Sequence, residues 1–173
     1  HVATHFFNDS KTDDYLSVNP NGRIPALVDG DITLFESMAI NLYLTKKYAP
    51  ALYPVSEGEQ AKAIQWSVWA ISEIEPQQMQ IVIQKFFNRD NMDQAIIDTS
   101  TENLKRPLDV LNQHLADRKY LLGDAFTVAD LNVSGVMLLM QMMEFDLSAY
   151  PNIQNWTEQC YRRDALKRAQ SLA

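Results

Sequence analysis

One stretch of this chain has residue types and spacing able to grip a small dipolar molecule: Asn19-Pro20-Asn21-Gly22-Arg23-Ile24-Pro25-Ala26-Leu27-Val28-Asp29-Gly30-Asp31, followed by Leu34-Phe35-Glu36-Ser37-Met38-Ala39-Ile40. A turn presents Arg23-Ile24-Pro25 at the start of a strand, and a hairpin returns the chain to a helix beginning at Ser37. The first turn of a helix has backbone N–H groups with no intrahelical partner and the positive end of the helix dipole, so it suits a carboxylate. Ser37 adds a hydroxyl donor, and Glu36 beside it suits an ammonium. A carboxylate and an ammonium on one carbon form an amino-acid head group. The plainer reading is that Ser37 only caps its helix and Pro25 only starts a strand; spacing alone leaves both open.

A second stretch, Tyr120-Leu121-Leu122-Gly123-Asp124-Ala125-Phe126-Thr127-Val128-Ala129-Asp130, carries an S/T-x-x-D pattern. Thr127 and Asp130 form a capping box, each side chain bonding the other's unpaired N–H, with Phe126 and Leu131 placed as a hydrophobic staple. This is a folding signal.

The elements that must hold these residues follow from pattern. Val2–Phe7 reads as a strand, being β-branched and aromatic and closed by Asn8-Asp9-Ser10. Residues 12–18 read as a short helix or an irregular segment. Residues 25–28 and 32–35 read as two strands joined by a tight Asp-Gly hairpin. The helix from Ser37 shows Ile40, Tyr43, Leu44 and Tyr48 on one face and is stopped by Pro50. From Ser56 onward nearly everything is helical. Ser56 and Glu59 form a capping box, Ile64, Val68 and Ile71 continue an apolar stripe, and Pro76 bends or ends that helix. Ile97, Thr101, Leu104, Leu108, Leu111 and Leu115 repeat at four- and three-residue steps, a long bundle helix with Pro107 inside it. Helices over 127–143 and 151–163, then a short one, complete the chain. The division is a small α/β unit over residues 1–50 and a helical bundle over 51–173, linked at 49–55.

Composition narrows the function. Among 173 residues, 15 basic against 22 acidic side chains give a net charge of −7, and no basic patch offsets it, so nucleic acid is excluded as a partner. The most apolar run, 133–143, is too short to span a bilayer. Five scattered glycines form no phosphate-cradling loop. His1, His5 and His114 lie apart, so no metal site is expected. Cys160, the single cysteine, excludes an intrachain disulfide, points to a reducing compartment and reads as a packed thiol.

Both motifs, in this order, resemble the cytosolic glutathione S-transferase family. Its thioredoxin-like amino-terminal domain carries an (I/V)-P-x-L element with a cis proline, then (E/Q)-S at a helix start; here these are Ile24-Pro25-Ala26-Leu27 and Glu36-Ser37. Its all-helical carboxy-terminal domain carries the capping box seen at Thr127 and Asp130. The resemblance implies a glutathione transferase with glutathione as co-substrate. The Ile24 backbone, beside cis-Pro25, would pair with the cysteinyl unit. Glu36 and Ser37 would hold the γ-glutamyl head group, and Lys11 or Arg23 would meet the glycyl carboxylate. It implies an electrophile pocket along the first bundle helix, at Trp66, Trp69, Ala70 and Glu73, though the tryptophans equally suit core or dimer contacts. A small electrophilic or disulfide substrate, a cytoplasmic location, a role in detoxification and a homodimer follow from the same resemblance. In the family a strand, loop and helix precede the segment that opens here at Val2, and they carry the Tyr, Ser or Cys that stabilises the thiolate. The expectation is therefore an amino-terminally truncated unit, with that residue upstream of His1 and no catalytic residue assigned within the chain. The alternative function is a non-catalytic interaction module on this scaffold, with isomerase or dehalogenase chemistry a third reading. A retained Ile24-Pro25 and Glu36-Ser37 favours glutathione binding.

Overall fold

The computed structural model describes residues 2–5 and 7–171. Thr12 caps a short helix, α1 (Asp13–Val18), by accepting a hydrogen bond from the Tyr15 N–H. Strands β1 (Ala26–Asp29) and β2 (Ile32–Phe35) pair antiparallel, from Ala26 opposite Phe35 to Asp29 opposite Ile32. The two-residue connection needs a positive φ, which Gly30 supplies at 60°. Helix α2 (Ser37–Tyr48) follows directly, and Pro50 opens a single 3₁₀ turn after it.

The expected strand at Val2–Phe7 is not formed. Residues 2–5 have no regular structure and Phe7 lies in a turn, while His1 and Phe6 fall outside the described residues. A strand exists only when its N–H and C=O groups find a neighbour. The one sheet among the described residues is the β1–β2 pair.

The hairpin is fastened to α2 through one carboxylate. Asp29 Oδ2 accepts from the hydroxyls of Tyr48 (2.7 Å) and Tyr43 (2.8 Å) and from Lys47 Nζ (2.9 Å). These donors, the Tyr48 bond foremost, hold the Asp29 carboxyl down at about 2. The fastening sets the angle at which β2 delivers Phe35 and Glu36 into the helix.

The rest is a bundle. Helix α3 (Glu57–Trp69) starts at Ser56, whose hydroxyl accepts from the Glu59 N–H at 3.3 Å and donates to the Glu59 carboxylate at 2.8 Å. Where Pro76 was expected to bend or end this helix, the chain widens into a π turn over Ala70–Ile74 and resumes as α4 (Glu75–Val82). Pro76 has no N–H to offer the carbonyl four residues back; the widened turn lets the Glu75 N–H reach Ala70 instead. A second π turn, Ile83–Phe87, closes α4. Then come α5 (Gln94–His114), helical straight through Pro107, α6 (Val128–Met142), α7 (Pro151–Tyr161) and α8 (Asp164–Gln170).

The core gathers Leu104, Leu108 and Leu111 of α5, Val133, Met137 and Met140 of α6, and Ile153 and Trp156 of α7 around Ala63, Ala70 and Ile74. The stripe read on α3 turns outward: Ile64 is 46% and Val68 52% exposed, and the buried face carries Ala63, Trp66 and Ser67. Periodicity finds an apolar stripe but not which side meets the core. Met137 and Met140 are buried filler, and Cys160 is buried, its thiol pushed up to about 12 by burial.

A buried polar relay joins α2 to the bundle. Asn41 Nδ2 donates to Asn132 Oδ1 at 2.8 Å, Asn132 Nδ2 donates to Ser67 Oγ at 2.8 Å, and the Ser67 hydroxyl donates to the Ala63 carbonyl at 2.8 Å. Among the described residues no helix is long and apolar enough to cross a membrane.

Candidate functional site

The loop before β1 is fixed from within. The Arg23 carbonyl accepts from Tyr15 OH (2.8 Å) and Asn19 Nδ2 (2.6 Å), and Asn19 Oδ1 accepts from the Asn21 N–H (3.1 Å). Gly22 sits at φ 58°, and a Cβ there would come within 3.0 Å of the Ser10 carbonyl, so only glycine fits. The clamp ends at the Ile24–Pro25 peptide bond, which is cis. Among the described residues the Ile24 N–H and C=O have no hydrogen-bond partner.

Facing this segment is the start of α2. Its cap residue, Glu36, holds φ 71° and ψ 113° and makes no side-chain cap bond, so the first α2 N–H groups have no side-chain acceptor. A non-glycine residue in this region costs about 1–3 kcal/mol and persists where the surroundings dictate it. Here the fastened hairpin on one side and the first helical bond, Ile40 N–H to the Glu36 carbonyl at 3.0 Å, on the other, dictate it.

The two segments form one side of a cleft of about 690 Å³, within the range of small-ligand sites. Arg23, Ile24, Pro25, Glu36 and Ser37 all line it, with Asn19 and Met38. Ile71, Glu75, Pro76 and Met79 line it from the π turn and α4. One side is polar, with free donors at a helix N-terminus and an open backbone edge; the other is mostly apolar. Such a cleft takes an extended peptide-like ligand with a carboxylate at one end.

Lys11 is not among the walls, and its ammonium donates to the Gly22 carbonyl. Trp66 and Trp69 pack edge to face at 5.0 Å and line a separate groove with His114 and Arg118. Ala70 is buried in the core, while Glu73 is exposed and accepts a 3.3 Å bond from Ser72. The cleft-facing residues of this helix are instead Ile71, Glu75, Pro76 and Met79, which sequence reading passed over. Their signal was present as the four-residue steps 71, 75, 79, but the π turn decides which face those steps present. Among the described residues no group of three or more His, Cys, Asp or Glu could hold a metal ion.

Residues 1–46 match the family model for the glutathione S-transferase N-terminal domain, and residues 74–164 match that for the C-terminal domain. The chain belongs to the glutathione S-transferase family. Glutathione S-transferase 3 of Zea mays is 36% identical over 171 residues, spanning 91% of this chain and 75% of the relative. A solved glutathione S-transferase-I bound with lactoylglutathione superposes with a TM-score of 0.84 at 31% identity, over 99% of this chain and 86% of that one. A theta class glutathione S-transferase from Xanthomonas axonopodis pv. citri, solved with glutathione bound, reaches a TM-score of 0.87 at 29% identity, over 95% and 80% of the two chains. The fold of this glutathione S-transferase family member is the family's: a thioredoxin-like amino-terminal part, here with a two-stranded sheet, and a helical carboxy-terminal part.

Proposed function

We propose that this family member is a glutathione transferase that binds glutathione in the cleft and transfers its thiolate to a small electrophilic or disulfide substrate. The carrying observation is that the Ile24 backbone, without a hydrogen-bond partner among the described residues, and the uncapped start of α2 line the same side of one cleft. The Ile24 N–H and C=O bond the cysteinyl backbone as a neighbouring strand would. Ser37, with its hydroxyl and N–H, takes the γ-glutamyl carboxylate, and the Glu36 side chain takes the ammonium on the same carbon. Arg23, the cation among the cleft residues, meets the glycyl carboxylate, while Lys11 holds the loop through Gly22. The apolar side, Ile71, Pro76 and Met79, receives the electrophile. None of these residues is assigned to ionising the thiol. The two units divide at residues 1–50 and 51–173 on this reading.

Ser37→Ala removes one hydrogen bond to a charged group, so glutathione affinity is expected to fall about tenfold by calorimetric titration. A fall of less than twofold, with the variant still folded, would sink the assignment.

The active form is a homodimer in which a second copy covers the outward stripe of α3. Val68, 52% exposed, is its centre. Val68→Glu puts a charge into that contact and is expected to yield monomers by sedimentation velocity. A monomeric parent protein would overturn the dimer.

A further inference from the structure

The end of α6, its connection to α7, and helices α7 and α8 frame a second pocket of about 630 Å³. None of its walls belongs to the cleft already described, and its volume is in the range of small-ligand sites. Its floor is apolar. Met137 is only 1% exposed, and Phe145 and Leu147 pack partly buried against the core. Two hydroxyls among the walls are already used: Tyr161 donates to the Ser134 carbonyl at 2.9 Å, and Thr157 to the Ile153 carbonyl at 2.9 Å. Tyr161 therefore offers its ring.

The rim carries the charge: Glu144, Asp146 and Glu158 stand with Arg162 and Lys167. Each cation is engaged by an acid one turn back, Arg162 by Glu158 and Lys167 by Asp164 at 3.5 Å. What remains unbalanced is negative, because among the described residues neither Glu144 nor Asp146 has an ion-pair partner. The Ser148 N–H, 2.8 Å from Asp146 Oδ1, holds that carboxyl below its usual range and so ionised at neutral pH. The negative end of the α6 dipole lies at the same rim, where the Gln141 and Met140 carbonyls accept from the Glu144 and Phe145 N–H groups at 3.1 and 2.9 Å. Lys85 donates to the Met143 carbonyl at 3.0 Å and is not a wall of the pocket. Glu144 holds φ 54° just past the helix, where glycine is the usual residue and an acid opposes the dipole.

A bare metal ion does not suit this rim: a hard cation takes six or more oxygens, and among the described residues no group of three or more His, Cys, Asp or Glu could hold one. An anion would meet two cations already paired and three carboxylates. An organic ammonium on an apolar body suits both halves, its charge at the unbalanced carboxylates and its body over the floor, where aromatic faces also attract cations. We propose that this pocket is a second ligand site, selective for small amphiphilic amines: Glu144 and Asp146 hold the ammonium, and Met137, Phe145 and Tyr161 hold the apolar body. The site stands apart from the glutathione reading and does not depend on it.

Titration of 4-phenylbutylamine, 4-phenylbutanol and 4-phenylbutyrate, followed on the methionine methyl resonances, separates charge from apolar contact. The amine is expected to bind with a Kd on the order of 10⁻⁴ M and to shift the Met137 methyl, not that of Met79 in the cleft. The alcohol should bind about fivefold more weakly, and the butyrate more weakly still. In Glu144→Gln the amine should lose about fivefold in affinity while the alcohol changes less than about twofold. Glu144→Gly should lose the amine by the same factor yet melt at or above the parent's temperature, because glycine suits the positive φ. A residue present only for packing does not combine lost binding with retained stability. Saturating glutathione should leave the amine affinity unchanged. Equal affinity for the three probes, no shift at Met137, an unchanged amine affinity in Glu144→Gln, or displacement of the amine by glutathione overturns the site.

Discussion

Asp130→Ala is expected to lower the free energy of unfolding by about 3–6 kcal/mol, leaving a large share of the protein unfolded at 37 °C. The Asp130 side chain is fully buried at the start of α6 and accepts four hydrogen bonds. Oδ1 takes the Leu121 N–H at 2.8 Å and the Trp156 indole N–H at 2.9 Å. Oδ2 takes the Thr127 N–H at 2.9 Å and its hydroxyl at 3.2 Å. An exposed cap is worth about 1 kcal/mol, and this one differs because its donors lie inside. Removing the carboxylate strands two buried N–H donors, from Leu121 and Trp156, and the partly buried one of Thr127; each costs about 1–3 kcal/mol without water to replace it. One residue therefore holds the 120s loop, the start of α6 and the middle of α7 in register. Asp130→Asn keeps the shape and one acceptor oxygen and should fall between parent and alanine. Urea unfolding followed by tryptophan fluorescence measures both. A loss below about 1.5 kcal/mol for alanine would show that the three donors find other partners.

Asn132→Leu is the second large effect, expected to cost about 2–4 kcal/mol and to weaken glutathione binding several-fold. Asn132 is 2% exposed and is the middle member of the relay from Asn41 on α2 to Ser67 on α3. Leucine keeps the branched heavy-atom shape, though it is bulkier, and leaves the Asn41 amide and the Ser67 hydroxyl each short of a partner. The cleft lies between the start of α2 and the α3–α4 segment, so loosening the relay changes the spacing of its two sides. Asn41→Ala should lose less, and the double variant should lose less than the sum, because both act on one network. Thermal unfolding and titration together decide it: a destabilised protein with unchanged glutathione affinity would show that the relay fastens the bundle without setting the cleft.

Much of the architecture was legible because it is local. The Asp29-Gly30 hairpin, the helix starting at Ser37, the caps at Ser56 and Thr127 and the leucine repeat of α5 each depend on residues a few positions apart, and periodicity with turn chemistry reads such neighbours directly. The same holds for the polar side of the cleft. Ile24-Pro25 and Glu36-Ser37 are separated by one hairpin, so hairpin geometry alone returns them to one place.

The tertiary structure decided whatever depends on a partner distant in sequence. Val2–Phe7 has strand composition, yet residues 2–5 join no sheet among the described residues, because a strand is a relation between two segments. Ile64 and Val68 form a valid helical stripe, but Ala63, Trp66 and Ser67 on the other side won the core. Asp130 was readable as one half of a cap; its bonds to Leu121 and Trp156 were not. Ile71, Glu75 and Met79 reach the cleft through a π turn that answers to Pro76, while Trp69, only two residues before Ile71, lines a different groove. Short-range chemistry is written in the order of the residues. Which face is buried, and which carboxylate meets which, is settled only when the bundle closes on α2.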